Sequence, residues 1–238
     1  MTSSTRRLSG RIALVTGASR GIGQAVAVRF AAEGAHLILV ARTVGGLEET
    51  DDLVGQAGGS ATLVPYDLAQ GRGIDELGAK VAERYGRLDV LVGNAAVLGV
   101  LGPVSHMDPD VFERVMAVNV TANWRLIRSF DPLLRQSDAG RAIFVTSGAA
   151  ASATAYWGAY AASKAALETL ARTYAAEVTR TNVRANLIDP GVVRTRMRAE
   201  AFPGEDPMAL PPPDSVAPTF VDLALPSCCE NGQIVRAY

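Results

Sequence analysis

Histidine and cysteine are scarce in this chain, with two residues of each among 238. His36 and His106 lie far apart, and a metal site needs clustered ligands, so we predict no bound metal. Cys228 and Cys229 are adjacent, and neighbouring cysteines do not readily reach the geometry of a disulfide. We expect two small apolar side chains kept reduced in the cytosol, with a vicinal redox switch as the alternative.

Long apolar runs and an excess of one charge are also missing. The formal net charge is −1 at pH 7, which gives no reason to expect a nucleic-acid partner. No apolar run approaches the roughly 20 residues that span a bilayer, and residues 1–10 lack the apolar core of a secretory signal. We therefore expect a cytoplasmic protein that binds neither nucleic acid nor membranes.

The chain alternates apolar, strand-like runs with segments of helical periodicity. This alternation predicts an α/β fold, a Rossmann-type doubly wound parallel sheet of about seven strands with helices on both faces. We expect a single domain over residues 1–238. The predicted strands are 11–16, 36–41, 61–65, 88–92, 142–146, 183–188 and 233–235, and the predicted helices are 21–33, 47–56, 74–85, one from 109, and 158–180.

Proline marks two breaks in this pattern. Pro132 is expected to kink or end the helix that begins at 109, because proline has no amide hydrogen. Residues 202–218 hold six prolines and show no clear period until their end. So irregular a stretch in a compact domain is usually a lid or binding loop, and we expect a substrate loop at about 195–215.

A glycine-rich turn, Thr-Gly-Ala-Ser-Arg-Gly-Ile-Gly, joins the first predicted strand to the first helix at residues 16–23. Gly17 allows a tight turn, Gly21 allows a pyrophosphate to approach the backbone, and Gly23 allows close packing of helix and strand. The amide groups and the positive end of the helix dipole then face the phosphates. The turn predicts a nucleotide site, although its spacing differs from the commoner dinucleotide fingerprint.

The end of the second strand favours NADP(H) as the cofactor. An NAD-selective site usually places an acid there to bind the ribose hydroxyls. Here the position holds Ala41, followed by Arg42, and a guanidinium in that place suits a 2′-phosphate. Arg20 in the glycine turn supplies a second positive charge, so NAD(H) is the less favoured cofactor.

Tyr160 and Lys164 lie four residues apart at the start of the last long helix and share one face of it. A free tyrosine has a pKa of about 10, and a nearby ammonium lowers that value. Ser147 follows the fifth strand and is placed to hold a substrate oxygen beside the phenol. We therefore expect Tyr160 to exchange a proton, with its pKa lowered by Lys164 together with the positive nicotinamide ring of a bound cofactor.

Together these motifs resemble the classical short-chain dehydrogenase/reductase family over nearly the whole chain. Residues 16–23 match the cofactor motif, Gly-Asn-Ala-Ala at 93–96 resembles the element after the fourth strand, and Asn119 falls on the family's catalytic-helix asparagine. Ser147, Tyr160 and Lys164 match the rest of the tetrad. The resemblance implies cofactor contacts from Gly17, Ser19, Arg20, Gly21, Ile22, Gly23, Arg42, Asp67, Leu68, Asn94, Ala95, Tyr160, Lys164, Pro190, Gly191, Val193 and Thr195.

The resemblance also implies roles for these residues. Tyr160 would protonate the oxygen of a carbonyl substrate that receives hydride from NADPH, and alcohol oxidation is the reverse path. Ser147 would orient that oxygen, Lys164 would hold the nicotinamide ribose, and Asn119 would support a water-linked proton relay. A homodimer or homotetramer is implied, with the helices at 109–130 and 158–180 as interfaces. The short C-terminus, without the usual glycine-rich tail, weakens the expectation of a tetramer.

Other interpretations have less support in the sequence. A serine hydrolase needs a base for Ser147 and a nucleophile elbow, and neither is evident. A sugar-nucleotide epimerase or dehydratase shares the tyrosine–lysine pair but has a larger C-terminal region. The main alternative is a non-catalytic NADP(H)-binding regulatory protein of the same fold. Trp157, residues 97–101 and Met208 are candidates for an apolar substrate wall, or for core and surface positions.

Overall fold

The computed structural model describes residues 6–237, and its centre is one parallel seven-stranded sheet. The strand order is β3-β2-β1-β4-β5-β6-β7. The order reverses between β1 and β4, which leaves a crevice beyond their carboxyl ends. The strands are β1 (Ile12–Thr16), β2 (His36–Ala41), β3 (Ser60–Pro65), β4 (Val90–Gly93), β5 (Arg141–Val145), β6 (Arg184–Asp189) and β7 (Ile234–Arg236).

Helices cover both faces of the sheet. They are α1 (Gly21–Ala32), α2 (Val44–Gln56), α3 (Arg72–Tyr85), α4 (Pro109–Met116), α5 (Ala122–Gln136), α6 (Ala149–Ser152), α7 (Gly158–Glu177), α8 (Arg196–Ala201) and α9 (Ala217–Ala224). None of the helices in the described part of the chain is long and apolar enough to cross a membrane. The predicted doubly wound fold is confirmed.

The apolar runs of the strands are continuous because their successive side chains point into two hydrophobic cores, one on each face of the sheet. Ala13 and Val15 of β1 point into the core that holds α1, α2 and α9. Leu14, between them, points into the opposite core with α3, α5 and α7, and lies opposite Ile38 of β2. Alternate residues of a strand face opposite sides, so a sheet covered twice needs apolar residues at every position.

The helix predicted from residue 109 differs from expectation in two ways. Of the two expected effects of Pro132, a kink or an end, the end is wrong, because α5 continues to Gln136. Pro132 is exposed, so water can reach the Arg128 carbonyl that would otherwise accept the missing amide. The real interruption is a π-helical stretch, Ala117–Thr121, between α4 and α5.

The proline-rich region is more ordered than its composition indicates. The expected loss of periodicity ends where the sequence indicated, because α9 begins at Ala217. Phe220, Val221 and Ala224 are fully buried against α1 and the sheet. Helix α8 also precedes the prolines and was not predicted. The three-to-four spacing of the apolar residues was the signal for α9.

Candidate active site

A cleft of about 520 Å³ opens at the carboxyl ends of the strands, over the crevice between β1 and β4. All but two of the predicted site residues line it; the exceptions are Gly23 and Asn119. Those lining it are Gly17, Ser19, Arg20, Gly21, Ile22, Arg42, Asp67, Leu68, Asn94, Ala95, Ser147, Tyr160, Lys164, Pro190, Gly191, Val193 and Thr195.

Glycine is structurally required in the turn after β1. Gly17 and Gly21 adopt φ angles of 65° and 56°, in the region that favours glycine. A Cβ at Gly23 would lie 2.6 Å from the Nδ2 atom of Asn94 and would overlap the Gly17 carbonyl. Gly23 therefore lies behind the cleft, where it allows α1 to pack against the turn, as the sequence predicted.

The hydroxyl of Thr16 connects the two strands that flank the crevice. It donates to the Val92 carbonyl at 3.1 Å and accepts the Asn94 and Ala95 amides at 3.0 and 3.1 Å. The Asn94 side-chain amide donates a hydrogen bond to the Thr16 carbonyl at 2.8 Å. These bonds fix the loops after β1 and β4 in one arrangement.

Two arginines enter the cleft from the ends of β1 and β2. Arg20 and Arg42 are both exposed, and no ion pair within the described residues holds either of them. Burial acts to raise the pKa of Asp67, but hydrogen bonds from the Ala69 amide and Arg114, with the charge of Arg42, lower it overall. The ion pair between Asp67 and Arg114 is 3.1 Å long.

Lys164 and Tyr160 meet at the inner end of the cleft, on one face of α7. The Lys164 ammonium donates to the Val145 carbonyl at 2.7 Å and lies 5.6 Å from the centre of the Tyr160 ring. Lys164 is fully buried, and this desolvation lowers its pKa to about 8. Ser147 lies beside Tyr160 and also lines the cleft.

Tyr160 departs from its expected titration. Burial raises its pKa to about 12, while the Ser147 hydroxyl acts to lower it and the charge of Asp189 to raise it. The pKa was expected to be lowered by Lys164 together with the positive nicotinamide ring, whereas in the protein by itself it is raised. The desolvation of a buried phenolate is the largest cause of this change.

Comparison with known proteins agrees with this geometry. The family model described as short chain dehydrogenase matches residues 11–206. The chain belongs to the classical short-chain dehydrogenase/reductase family. It is 38% identical over 217 residues to the uncharacterised oxidoreductase YciK of Escherichia coli K12, with 90% of this chain and 86% of that protein covered.

Two further relatives of this dehydrogenase family bear on the cofactor. A short chain dehydrogenase of Escherichia coli CFT073, solved in complex with NADPH, is 38% identical, with a TM-score of 0.94 and 98% of each chain covered. An uncharacterised protein of Mycobacterium tuberculosis H37Rv, named as an NAD-dependent oxidoreductase, is 36% identical over 80% of this chain and 74% of its own length. Both cofactors therefore occur in the names of similar proteins.

Asn119, the family's helix asparagine, lies in the π-helical stretch and is fully buried. Its side chain accepts the Val97 amide at 2.9 Å and donates to the Val97 carbonyl at 3.0 Å and to Ser163 at 2.9 Å. Its backbone carbonyl accepts Asn123 at 2.8 Å. Asn119 therefore ties the loop after β4 to α7, and its side chain has no direct contact with Tyr160 among these bonds.

Aromatic side chains connect the start of α7 to the loop that follows β6. The rings of Trp157 and Tyr160 have centroids 5.9 Å apart, and those of Trp157 and Phe202 are 5.8 Å apart. The Arg198 guanidinium covers the Phe202 ring at 3.7 Å and donates to both Glu205 oxygens, at 2.6 and 2.7 Å. These contacts place α8 beside Trp157.

The apolar wall predicted near Trp157 is present in part. Trp157 and residues 97–99 line the cleft, whereas 100, 101 and Met208 do not, and Met208 is 76% exposed. Sequence reasoning missed several lining residues. They are Thr43, Tyr66, Val118, Val192, Met197 and Ala201. Tyr66 directly follows a predicted strand, which was the available signal, and Thr43 lies two residues beyond another. Val118 lies in the stretch predicted as helix from 109. Val192, Met197 and Ala201 lie after β6, in the segment whose helix α8 was not predicted.

The departures from the family pattern at residues 93–96 fit their surroundings. A Cβ at Gly93 would lie 2.6 Å from a ring carbon of Phe144 and would overlap the Asn123 side chain. Glycine at 93 is therefore coupled to Phe144 and Asn123 behind it. Ala96 lies on the surface of the cleft, where its methyl group has room.

Proposed function

We propose that this protein is an NADP(H)-dependent oxidoreductase that passes a hydride between nicotinamide and a carbonyl or secondary alcohol, with Tyr160 as the acid and base. The observation that carries this proposal is the convergence of Ser147, Tyr160 and Lys164 in one cleft with the glycine turn. The segment at about 195–215 is proposed to border the substrate end, because α8 lies against Trp157 through Phe202.

The residues of the cleft fit a dinucleotide. The left-handed glycines at 17 and 21 leave the backbone open at the start of α1, where amide groups and the helix dipole attract phosphate. Arg20 and Arg42 carry positive charge into the same cleft without an ion-pair partner among the described residues. We propose that Arg42 binds a 2′-phosphate, and the E. coli relative solved with NADPH supports this choice.

In the proposed reaction, the bound cofactor supplies the hydride chemistry. Tyr160 is protonated near neutral pH, since its pKa of about 12 lies well above 7. A protonated phenol is the form that donates to a developing alkoxide. Ser147 holds the substrate oxygen beside that phenol. Lys164 provides an ammonium group whose pKa of about 8 keeps it mostly charged at pH 7, placed to hold ribose hydroxyls.

We also propose a homodimer or homotetramer. Phe112 on α4 and Trp124 on α5 are 42% and 43% exposed, and both lie within residues 109–130, which the family resemblance implies as an interface. Light scattering of the purified protein tests this proposal. A monomer at micromolar concentration would contradict it.

The function is tested by NADPH oxidation with a panel of ketones, aldehydes and quinones. We expect turnover with at least one class, and a loss of about 1,000-fold or more in Tyr160→Phe. Tyr174→Phe is the matched control, since Tyr174 is buried away from the cleft, bonded to Asp131 at 2.7 Å. Tight NADPH binding without turnover would instead favour the non-catalytic regulatory protein, and full activity in Tyr160→Phe would exclude Tyr160 as the acid.

A further inference from the structure

Glu168 lies one helical turn beyond Lys164, on the same face of α7 as Tyr160. Its carboxylate is half-buried and accepts the Thr146 hydroxyl at 2.6 Å. Thr146 is itself buried, and it is the residue directly before Ser147. A short charge-assisted bond therefore joins α7 to the end of β5 at the position next to the catalytic serine.

Three residues spaced four apart on α7 thus contact three consecutive residues at the end of β5. Tyr160 lies beside Ser147, Lys164 donates to the Val145 carbonyl at 2.7 Å, and Glu168 binds Thr146 between them. The Thr146 amide also donates to the Ile188 carbonyl of β6 at 2.9 Å. The strand end is held from both sides. Among the bonds named here, Glu168 supplies the carboxylate and Lys164 supplies the ammonium.

We propose that Glu168 is a positioning residue, which anchors through Thr146 the strand end that carries Ser147 and keeps Lys164 in its ammonium form. This role of Glu168 rests on the proposed function in one respect: it takes Ser147 and Lys164 to be parts of the catalytic site. Glu168 acts through these two residues and does not line the cleft.

The charges around Lys164 support the second part of this role. Burial lowers the pKa of Lys164, and Glu168 opposes that effect. On β6, the Asp189 carboxylate acts to raise the pKa of Tyr160, and it accepts a hydrogen bond from the Gly191 amide at 3.0 Å. Arg172, one turn beyond Glu168, is exposed, while α6 and the π-helical stretch packed against α7 carry no ionisable side chain. Helix α4 also packs against α7, and its ionisable residues, Asp110, Glu113 and Arg114, are all exposed. Glu168 is therefore the carboxylate that most strongly raises the pKa of Lys164.

The chain contains two lysines, Lys80 and Lys164, which makes a direct test practical. Protein labelled with ¹³C at lysine Cε gives two signals, and Lys80, exposed on α3, provides the internal reference. We expect Glu168→Gln to move the titration midpoint of Lys164 to lower pH by on the order of one unit, because the amide removes the negative charge. Thr146→Val, which keeps that charge, should leave the midpoint within about 0.3 units.

The anchoring role is measured by hydrogen exchange of the amides at residues 147–149. We expect roughly fivefold to tenfold faster exchange in Thr146→Val and in Glu168→Ala, with near-normal exchange in Thr146→Ser, which restores the hydroxyl. An unchanged Lys164 midpoint in Glu168→Gln, or unchanged exchange in Thr146→Val, would overturn the corresponding part of the role. Neither measurement needs turnover, so a wild-type protein that fails to oxidise NADPH contradicts the proposed function separately.

Discussion

The indole of Trp157 meets the phenol ring of Tyr160 edge to face, with an interplanar angle of 69°. This geometry suits the opposite charge distributions of ring edge and ring face. Because Trp157 also contacts Phe202, the position of the phenol depends on a loop that follows β6. In the proposed reaction, Trp157 would therefore contact both the loop that borders the substrate and the phenol that transfers the proton.

Replacing Trp157 with alanine should lower the free energy of unfolding by about 2 to 4 kcal/mol, through lost burial and two lost ring contacts. Urea denaturation measures this change. Val44 is 54% exposed on α2, outside the proposed interface helices, and its alanine variant should change stability by less than about 1 kcal/mol. Equal losses in the two variants would show that Trp157 does not hold the loop.

Replacing Arg42 with alanine should weaken NADPH binding by about 10-fold to 100-fold, the loss expected for a hydrogen bond to a charged group. NADH lacks the 2′-phosphate, so its affinity should be nearly unchanged. Titration of nucleotide fluorescence measures both affinities, with Arg180→Ala, on the exposed surface after α7, as control. A parallel loss for both nucleotides would contradict the proposed contact with the 2′-phosphate.

Gly23→Ala should destabilise the protein by about 1 to 3 kcal/mol and weaken NADPH binding, because the added methyl group would overlap the turn that it supports. The matched control is Gly55→Ala. Gly55 is exposed on α2 with open space around its Cβ position, so alanine there should stabilise by up to about 1 kcal/mol. Thermal unfolding measures the change in stability of both variants. Equal changes in Gly23→Ala and Gly55→Ala would contradict close packing at Gly23.

Lys164 should make stability depend on pH between about 8 and 10.5. Its folded pKa of about 8 lies below the ordinary 10.5, so over this window the unfolded chain binds more protons and stability rises with pH. Below pH 8 the full cost of burying the charge, about 3 kcal/mol, is present.

The measurement compares wild type with Lys164→Met and Lys80→Met in urea at pH 7 to 9.5. The rise in unfolding free energy should disappear in Lys164→Met and persist in the Lys80 variant. Burial raises the pKa of Cys228 to about 11, which acts in the opposite direction, but this thiol is common to all three proteins. The same rise in Lys164→Met would assign it to another group.

Much of the fold was predictable, because strands that face a core on both sides of the sheet appear in the sequence as continuous apolar runs. The seven strands and the residues at their carboxyl ends follow from that pattern. The exposure of Pro132 and the burial of Phe220 do not, since each depends on which face the tertiary fold covers. The direction of the Tyr160 pKa was missed because it depends on desolvation, which spacing along α7 does not report.

The π-helical stretch, Ala117–Thr121, has a consequence for the evolution of this chain. An α-helix advances about 100° per residue, so one extra residue in a widened turn changes the phase between α4 and α5 by roughly that angle. Deleting a residue there would give a regular helix, but it would turn either Val115 or Leu126 away from its buried position. Insertions and deletions within these five residues should therefore be selected against more strongly than most substitutions.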